Sequence, residues 1–463
     1  MSRPNLAYGD GQLGLFTDLY ELTMGQAYFS HGLHQQATFG LNVRTYPPNR
    51  GYLVSAGLDD VLEYLERLHF DDEAVQFLRS TGMFSEDFLE YLRGVGFTGS
   101  VRAIPEGRLF FADEPLLEIT APIIEAQLVE TYVINQMNLQ TALATKAARC
   151  VWAAGSRGIA DFSSRRTHGS DAAMKMARAS YLAGFASTSN VLAAKHYGIP
   201  PAGTMAHSFV SSFPSELDAF RAYANCFPDR TILLLDTYDT VAGAWNAVAI
   251  AKELEANGHR LAGVRLDSGD YAKLSLQVRK VLDGQGLDYV RILVSGGLDE
   301  YELESLIASG APVDLFGVGT KAGVSADAPW SDMVYKIVCF DNRPVMKLSE
   351  GKMSLPGAKQ IFRRHDDKGI LKGDIIGLQD DTGPADSQPL LEEVMTGGRR
   401  TESSPSLSHL RDSFHSEFAR LDSRYKDLRR PPRFPVSASP SLQRMTAAVR
   451  EEAVLTNLSG EEP

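Results

Sequence analysis

The sequence predicts an α/β protein with an irregular (β/α) barrel, an N-terminal α+β domain completed by later strands, and a C-terminal extension. Short apolar runs alternate with amphipathic segments between Gly158 and Val324, and polar residues follow most of these runs. Runs rich in Ile, Leu and Val between helices are typical of parallel strands buried on both faces. We therefore expect an N-terminal domain at 1–155, a barrel at 156–330 and a third region at 331–463.

Size and charge limit the classes of protein to which the chain can belong. It has 463 residues, of which 44% are hydrophobic and 22% charged, and its formal net charge is −12. A chain of this length usually folds as more than one domain. The acidic excess argues against partners such as nucleic acid or an anionic membrane, and no apolar run has the length of a membrane span. We expect a cytoplasmic protein with small-molecule partners.

The N-terminal region is predicted to begin with a helix in LFTDLYELTMGQAYFSHG, where Asp18 and Glu21 have the spacing of a capping box and Gly32 can end the helix. The other elements predicted there are a strand at 38–46, helices at 58–68, 72–80 and 86–94, short strands at 101–104, 108–112 and 116–119, and one long helix from Pro122 to about Ala153.

Seven apolar runs then predict about seven βα units, which fit an incomplete or irregular barrel better than a two-half dinucleotide-binding sheet. The runs are GIADF, GFAST, AGTMAH, TILLLDT, GVRLDSG, RILVSGG and VDLFGVGT. After them, YKIVCF and PVMKLSEGKMSLPGAKQIFRR predict strands that return to the N-terminal domain, and the basic segment 407–430 predicts a helical extension.

Glycine-rich sequences follow the last two runs, at Ser295–Gly297 and at Gly317–Thr320. Successive glycines let backbone N–H groups approach a phosphate, and the last two strands of a barrel often form a phosphate site. A turn without a ligand is the alternative for either sequence alone. Together, at consecutive strands, they favour phosphate binding.

The first run leads into a cationic loop with Arg165, Arg166 and His168. Guanidinium groups suit bidentate binding of phosphate or carboxylate, although an isolated Arg-Arg pair is more often a solvated surface feature. An acidic protein needs a local cationic site to bind an anionic ligand. This favours a ligand-binding role for the loop over a solvated surface feature.

Acidic residues and a histidine follow the middle runs. Asp267 lies beside Arg265, Ser268 and Asp270, and its carboxylate can accept hydrogen bonds from vicinal hydroxyls or help to hold Mg²⁺, whereas Asp270 could instead cap a helix. Asp236 and Asp239 follow the preceding run, and His207 the run before that. A histidine there is more often structural, but beside a phosphate site it could accept a phosphoryl group. Substitution on a phosphorylated sugar fits this set of groups.

Long blocks of the sequence resemble the nicotinate phosphoribosyltransferase family. They are TDLYELTM, DFSSRRTHG, STSNVLAAKHYGIPPAGTMAHS, LLDTYDT, GVRLDSGD, SGGLDE, DLFGVGT and KLSEGKMSLPGAKQ. The resemblance implies a type II phosphoribosyltransferase fold and a homodimer with shared active sites. It also implies an ATP-coupled ligase that joins nicotinate to phosphoribosyl pyrophosphate with Mg²⁺, giving nicotinate mononucleotide and pyrophosphate in the first step of NAD salvage from nicotinate.

The same resemblance implies roles for residues at the nicotinate ring. Phe162 would stack on one face of the ring and Tyr20 of the partner subunit on the other, with Asp18 close to the ring. Arg165 would bind the nicotinate carboxylate or the nucleotide phosphate, and Arg265 would contact substrate.

For the phosphoribosyl group, the resemblance implies that Asp267 holds the ribose hydroxyls. His207 would be the residue that ATP phosphorylates, with Asp236 as its carboxylate partner. The residues implied in phosphate binding are Ser295, Gly296, Gly297, Gly319 and Thr320.

Ser189 discriminates between substrates in this resemblance. Similar enzymes that use nicotinamide carry an aspartate there, which accepts a hydrogen bond from an amide but repels a carboxylate. Serine favours nicotinate. A nicotinamide-using enzyme and a non-catalytic binding protein with the same fold are the alternatives, and Arg166 and His168 receive no role.

Overall fold

The computed structural model describes residues 10–349 and 353–458. The fold is α/β with a parallel sheet, as predicted. The chain forms two compact units, one made of Lys146–Asp327 and the other of Met1–Thr145 with Ala328–Pro463. The domain boundaries expected after residues 155 and 330 stay a prediction.

The helices are, in chain order, α1 (Leu19–Ser30), α2 (Leu58–Arg67), α3 (Asp72–Ser80), α4 (Glu86–Arg93), α5 (Ile123–Leu128), α6 (Glu130–Ala154), α7 (Ser170–Leu182), α8 (Val191–Tyr197), α9 (His207–Ser211), α10 (Glu216–Cys226), α11 (Thr240–Ala256), α12 (Tyr271–Gly284), α13 (Glu300–Ala308), α14 (Thr320–Gly323), α15 (Leu407–Arg420) and α16 (Pro440–Leu458). Within the described ranges, no helix is both long enough and apolar enough to cross a membrane.

The strands are β1 (Gln36–Val43), β2 (Leu53–Val54), β3 (Ser100–Ala103), β4 (Leu109–Phe110), β5 (Pro115–Pro122), β6 (Gly158–Asp161), β7 (Ser187–Thr188), β8 (Ile232–Leu234), β9 (Gly263–Leu266), β10 (Arg291–Ser295), β11 (Leu315–Val318), β12 (Met333–Phe340), β13 (Arg343–Pro344), β14 (Lys359–His365), β15 (Leu371–Leu378), β16 (Ser387–Pro389), β17 (Glu392–Thr396), β18 (Arg399–Arg400) and β19 (Val436–Ala438).

The unit 146–327 is built on a six-stranded parallel sheet with the order β7-β6-β11-β10-β9-β8. Its central side chains are fully buried, as expected of parallel strands, for example Leu234, Val264 and Phe316. One of the seven runs that were predicted to be strands is not a strand. Residues 202–206 of the AGTMAH run form no strand, and the preceding Pro201 makes only an isolated bridge to Thr188. Consecutive prolines at 200 and 201 lack the N–H groups that a continuous ladder needs.

The other unit contains a seven-stranded sheet with the order β13-β12-β1-β5-β3-β17-β18 and a four-stranded sheet with the order β16-β14-β15-β19. Strand β12 pairs antiparallel with β1, and β17 pairs antiparallel with β3. Late strands therefore complete the sheet of the N-terminal region, as predicted. Residues 350–352 of the quoted segment KLSEGKMSLPGAKQ lie outside the described residues.

Two N-terminal predictions are wrong. Asp18 precedes α1 but its side chain makes no cap, because its carboxylate accepts a hydrogen bond from Thr131 Oγ1 at 3.0 Å. Glu21 likewise accepts from the Thr131 backbone N–H at 3.1 Å, so both carboxylates serve α6 instead of a capping box. The single long helix expected from Pro122 is two helices, α5 and α6, separated by Val129.

The C-terminal extension is joined to the same unit through buried charges. Glu417 of α15 accepts from Arg363 Nη1 at 2.6 Å and from Arg108 Nε at 3.0 Å. The Arg363 side chain is fully buried, and it also binds Asp374 at 2.6 Å. Removal of the extension would take a carboxylate away from the buried Arg363 and from the partly buried Arg108.

Candidate active site

The parallel register of the sheet brings the predicted polar residues of this unit to one edge. Ladder pairs at or near the carboxyl ends of the strands are Asp161↔Thr188, Val318↔Asp161, Ser295↔Gly317, Leu266↔Val294 and Leu234↔Arg265. The residues that follow these pairs belong to loops at the carboxyl edge, where α/β folds bind ligands. Six segments that are distant in the sequence thus meet there.

The side chain of Phe162 lies over β11, in space that two glycines leave open. Its backbone N–H donates to the carbonyl oxygen of Val318 at 2.8 Å. A Cβ atom on Gly317 would lie 2.6 Å from the Phe162 ring, and one on Gly319 would lie 2.8 Å from the Phe162 carbonyl oxygen. Gly317 is therefore required by the aromatic ring of Phe162 and Gly319 by its backbone, and Phe162 is only partly buried.

Arg165 and Arg166 lie in a 3-10 turn, Ser164–Arg166, where the sequence predicted a plain loop. Their exposed side chains form no hydrogen bond or ion pair with any residue that the structure describes, and the same holds for the exposed His168. The guanidinium groups are thus open to an anionic ligand.

Asp161 anchors this turn, and the sequence interpretation missed it. Its fully buried carboxylate accepts from the Ser163 backbone N–H at 2.9 Å, from Ser163 Oγ and from Thr188 Oγ1 at 2.7 Å. Burial raises the pKa of Asp161, and these three hydrogen bonds oppose the rise. The backbone N–H of Ser189 donates to the Asp161 carbonyl oxygen at 2.8 Å, so Ser189 lies next to the start of the cationic turn.

Asp267 is held between two neighbouring strand ends. Ser295 Oγ donates to Asp267 Oδ1, and Arg265 Nη2 lies 3.5 Å from the same oxygen. Ser295 is 2% exposed, so its hydroxyl serves Asp267 and does not face a ligand. Arg265 also donates to Thr204 Oγ1, a residue absent from the sequence interpretation.

The environment of Arg265 shows how closely the charges are grouped. Burial lowers the pKa of Arg265, the carboxylates of Asp267 and Asp236 oppose this, and the positive charge of Arg165 adds to the lowering. The Nε atom of Arg265 is buried without a hydrogen-bond partner among the described residues. Two cations and two carboxylates from β6, β8 and β9 thus act on one another.

Among the described residues the carboxylate nearest to His207 is Asp267, with Oδ2 3.8 Å from Nε2, and the pairing with Asp236 stays a prediction. The Nδ1 atom of His207 is 3.1 Å from Thr237 Oγ1, which the sequence interpretation also missed. Asp236 is turned toward the β9 loop, where Oδ2 accepts from the Asp267 backbone N–H at 3.2 Å and from Ser268 Oγ at 2.5 Å. Its Oδ1 atom is buried and has no hydrogen-bond partner among the described residues.

Two of the other carboxylates are helix caps. Asp239 accepts from the Ala242 backbone N–H at 2.8 Å at the start of α11, and Asp270 accepts from Lys273 at 3.1 Å at the start of α12. The alternative of capping is thus confirmed for Asp270. Helix capping therefore explains the hydrogen bonds that Asp239 and Asp270 make.

The glycine loop after β10 and the loop after β11 are neighbours. Gly296 and Gly297 have φ values of +94° and +69°, a conformation that favours glycine. A Cβ on Gly296 would overlap the Asp267 carbonyl oxygen, whereas Gly297 faces open space. Gly319 precedes the exposed Thr320 at the start of α14. The open space at Gly297 lies two residues after Ser295, whose hydroxyl donates to Asp267.

Asp18 and Tyr20 belong to the other unit. Tyr20 is 46% exposed, and its pKa is raised by burial and by the nearby carboxylate of Glu130. One side of the Tyr20 ring is therefore exposed. The carboxylate of Asp18 accepts a hydrogen bond from Thr131 Oγ1.

The arrangement at the strand ends provides an aromatic surface, exposed guanidinium groups, a carboxylate held by a neighbouring hydroxyl and a glycine loop on adjacent strands. Such a site can bind a ligand with a planar ring, an anionic group, vicinal hydroxyls and a phosphate.

Comparison with known proteins identifies the family of the chain. Three family models match the chain: the nicotinate phosphoribosyltransferase N-terminal domain at 15–138, the nicotinate phosphoribosyltransferase family at 158–338 and the nicotinate phosphoribosyltransferase C-terminal domain at 382–446. The chain is 50% identical over 399 residues to nicotinate phosphoribosyltransferase pncB2 of Mycobacterium tuberculosis, with 86% of this chain and 85% of the relative covered. The chain belongs to the nicotinate phosphoribosyltransferase family.

Other members of the nicotinate phosphoribosyltransferase family are similar over most of their length. The Bacillus subtilis nicotinate phosphoribosyltransferase is 40% identical, with 81% of this chain and 79% of the relative covered. The crystal structure of human nicotinic acid phosphoribosyltransferase matches with a TM-score of 0.85 and 31% identity, over 94% of this chain and 99% of that chain. The family's fold therefore extends through both units described above.

Proposed function

We propose that the protein is a nicotinate phosphoribosyltransferase, which transfers the phosphoribosyl group of phosphoribosyl pyrophosphate to nicotinate and releases pyrophosphate. The product, nicotinate mononucleotide, makes this the first step of NAD salvage from nicotinate. The observation that carries the proposal is the meeting of Phe162, Arg165, Asp267 and the Gly296–Gly297 loop at one sheet edge, in a chain half identical to a relative of that name.

In this proposal the β6 end binds nicotinate. The ring stacks on Phe162, and the guanidinium of Arg165, which has no partner among the residues described, binds the carboxylate or, after reaction, the nucleotide phosphate. Ser189 follows the end of β7 beside them and brings no negative charge, so it does not repel the nicotinate carboxylate. The second face of the ring would be covered by Tyr20 of the partner subunit, with Asp18 of the partner subunit close by.

The phosphoribosyl group would extend from there across β11, β10 and β9. Asp267 would accept hydrogen bonds from the ribose hydroxyls, and Gly296, Gly297, Gly319 and Thr320 would bind the 5′-phosphate through backbone N–H groups. Ser295 contributes indirectly, because its hydroxyl holds Asp267 in place.

The reaction is a substitution at C1 of the ribose. The nitrogen of the nicotinate ring forms a bond to C1 while the bond from C1 to the pyrophosphate oxygen breaks, and positive charge builds up on the ribose ring. Nearby carboxylates such as Asp267 stabilise that charge, while Arg265 and other cations stabilise the leaving group. Positioning of the ring nitrogen in line with C1 supplies much of the rate.

A carboxylate oxygen of Asp236, which follows β8, suits the role of a Mg²⁺ ligand. Within the described residues no three His, Cys, Asp or Glu side chains could hold a metal by themselves, but Mg²⁺ usually binds one or two carboxylates together with substrate phosphates. Asp236 Oδ1, buried and without a partner among the described residues, is the oxygen that suits this role. When bound, Mg²⁺ would neutralise charge on the departing pyrophosphate.

ATP coupling would act through His207. The γ-phosphoryl group of ATP would pass to a ring nitrogen of His207 with release of ADP, and hydrolysis of the phosphohistidine would later give phosphate. Thr237 orients the ring at Nδ1, and Asp267 lies near Nε2, so a charge change at His207 is adjacent to the ribose-binding carboxylate. That adjacency supports a link between ATP and substrate affinity.

The test is turnover of purified protein with phosphoribosyl pyrophosphate, Mg²⁺ and nicotinate, with and without ATP. Release of pyrophosphate together with nicotinate mononucleotide is the expected result, stimulated by ATP and much weaker when nicotinamide replaces nicotinate. Absence of product with both pyridines would refute the proposal, and preference for nicotinamide would refute its substrate. Sedimentation of the same sample tests the proposed homodimer.

A further inference from the structure

The hydroxyl of Tyr271 joins two strand-end loops of the candidate site. Tyr271 is the first residue of α12, and its Oη atom lies 2.8 Å from the carbonyl oxygen of Asp267, 2.8 Å from that of Ser295 and 2.9 Å from that of Gly296. Asp267 is the residue that follows β9, whereas Ser295 is the last residue of β10 and Gly296 follows it. One side chain therefore bridges two neighbouring parallel strands just beyond their last ladder pair, Leu266↔Val294.

The bridge depends on a single proton. A phenolic hydroxyl has one proton to donate, and three carbonyl oxygens converge on it here. Burial, together with the carboxylates of Asp267 and Asp236, raises the pKa of Tyr271 to about 12, so the hydroxyl keeps this proton at neutral pH. Without the hydroxyl, carbonyl oxygens of two loops would face one another with no donor between them, and the loops would separate.

The backbones of the two loops that Tyr271 bridges are also in close contact. A Cβ on Gly296 would lie 2.8 Å from the Tyr271 hydroxyl and would overlap the Asp267 carbonyl oxygen. Ser295 Oγ adds a second link, because it donates to the Asp267 carboxylate. The distance between Asp267 and the glycine loop is therefore set by this junction, in which Tyr271 supplies the bridging hydroxyl.

We infer that Tyr271 is a positioning residue that fixes the spacing between the ribose-binding and phosphate-binding groups, and so determines affinity for ribose 5-phosphate moieties. This role rests on the proposed function, in which Asp267 binds the ribose hydroxyls and Gly296 and Gly297 bind the 5′-phosphate. Phe162 belongs to the end of β6, two strands away from β10 in the sheet, so the nicotinate side does not depend on the junction.

The test compares Tyr271→Phe with Tyr289→Phe. Tyr289 also donates a hydrogen bond, to Glu255 Oε1 at 3.0 Å, but it precedes β10 and so lies at the amino end of the strand. Loss of the Tyr271 hydroxyl is expected to raise the KM for phosphoribosyl pyrophosphate and the Kd for ribose 5-phosphate by about tenfold, with the KM for nicotinate changed less than about twofold. Tyr289→Phe is expected to change none of the three constants.

Equal effects on both substrates, or an unchanged Kd for ribose 5-phosphate, would overturn this role for Tyr271. If wild-type protein binds ribose 5-phosphate more tightly than Tyr271→Phe but does not turn over nicotinate, the proposed function is overturned and the positioning role stays intact. Hydrogen exchange at residues 267–270 and 295–298 gives a readout that does not need activity. Exchange in both segments is expected to speed up in Tyr271→Phe, and exchange equal to that of Tyr289→Phe would contradict the proposed bridge.

Discussion

Substitution of Gly317 by alanine is expected to displace the aromatic surface on which nicotinate would stack. An ideal Cβ on Gly317 lies 2.6 Å from both Cδ2 and Cε2 of Phe162 and 3.0 Å from the Cβ of Ser295. The backbone of β11 is held by ladders to β6 and to β10, so it cannot move away. The ring of Phe162 is therefore the group that must shift.

The size of the shift follows from van der Waals geometry. Carbon atoms pack at about 3.5 to 4.0 Å, so a contact of 2.6 Å requires a displacement of about 1 Å. Overpacking of this kind costs about 1 to 3 kcal/mol of stability. A displacement of about 1 Å in a group that positions substrate lowers kcat/KM by about 100-fold. We expect Gly317→Ala to lower kcat/KM for nicotinate by between about 10-fold and 100-fold.

The assay is steady-state turnover with nicotinate as the varied substrate, and the matched control is Gly284→Ala. Gly284 ends α12 in the same unit, and a Cβ there would meet open space. The control is expected to keep wild-type activity and stability. If Gly317→Ala folds and has the same kcat/KM for nicotinate as Gly284→Ala, Phe162 is not the surface that positions the ring.

Three further outcomes are expected. Thr237→Val removes the hydrogen bond to His207 Nδ1 and should reduce the stimulation of turnover by ATP about fivefold or more. Thr237→Ser keeps a hydroxyl and should keep the stimulation. Equal stimulation in the two variants would exclude Thr237 from the coupling. Glu417→Gln removes the carboxylate that pairs with Arg108 and one of the carboxylates that pair with the buried Arg363, and it should lower the free energy of unfolding in urea by about 3 kcal/mol. Glu253→Gln breaks the exposed pair with Arg221 and should cost much less, so equal losses would contradict the buried network. Burial raises the pKa of Glu21 from 4.5 to about 7. Between these two pH values the folded protein holds a proton that the unfolded chain releases. The free energy of unfolding should therefore fall as pH rises from 4.5 to about 7, by about 3 kcal/mol at most. Glu21→Gln should flatten the urea midpoint between about pH 5 and about pH 8 relative to wild type, and an unchanged slope would show that Glu21 does not titrate there.

The amino-acid sequence was sufficient to predict where the strands of the parallel sheet end and which kinds of group follow them. The apolar runs before Phe162, Asp236, Asp267 and Ser295 are short and bounded by polar or glycine residues, and each became a strand of the parallel sheet. Such signals are local, because burial of a strand and the turn after it depend on neighbours in the chain. The AGTMAH run failed as a strand because the two prolines before it remove ladder donors.

Which of these groups touch one another depends on the folded arrangement of the strands. The order β6-β11-β10-β9 places the first strand of the unit beside the last, so Gly317 meets the ring of Phe162 across 155 residues of chain, a contact that spacing cannot reveal. The same holds for His207, which lies nearer Asp267 than Asp236, and for Asp18, which bonds Thr131 instead of its own helix. A carboxylate turns toward whichever donor the register of neighbouring elements brings within hydrogen-bond distance, and register between distant segments is fixed by the packing of the whole sheet.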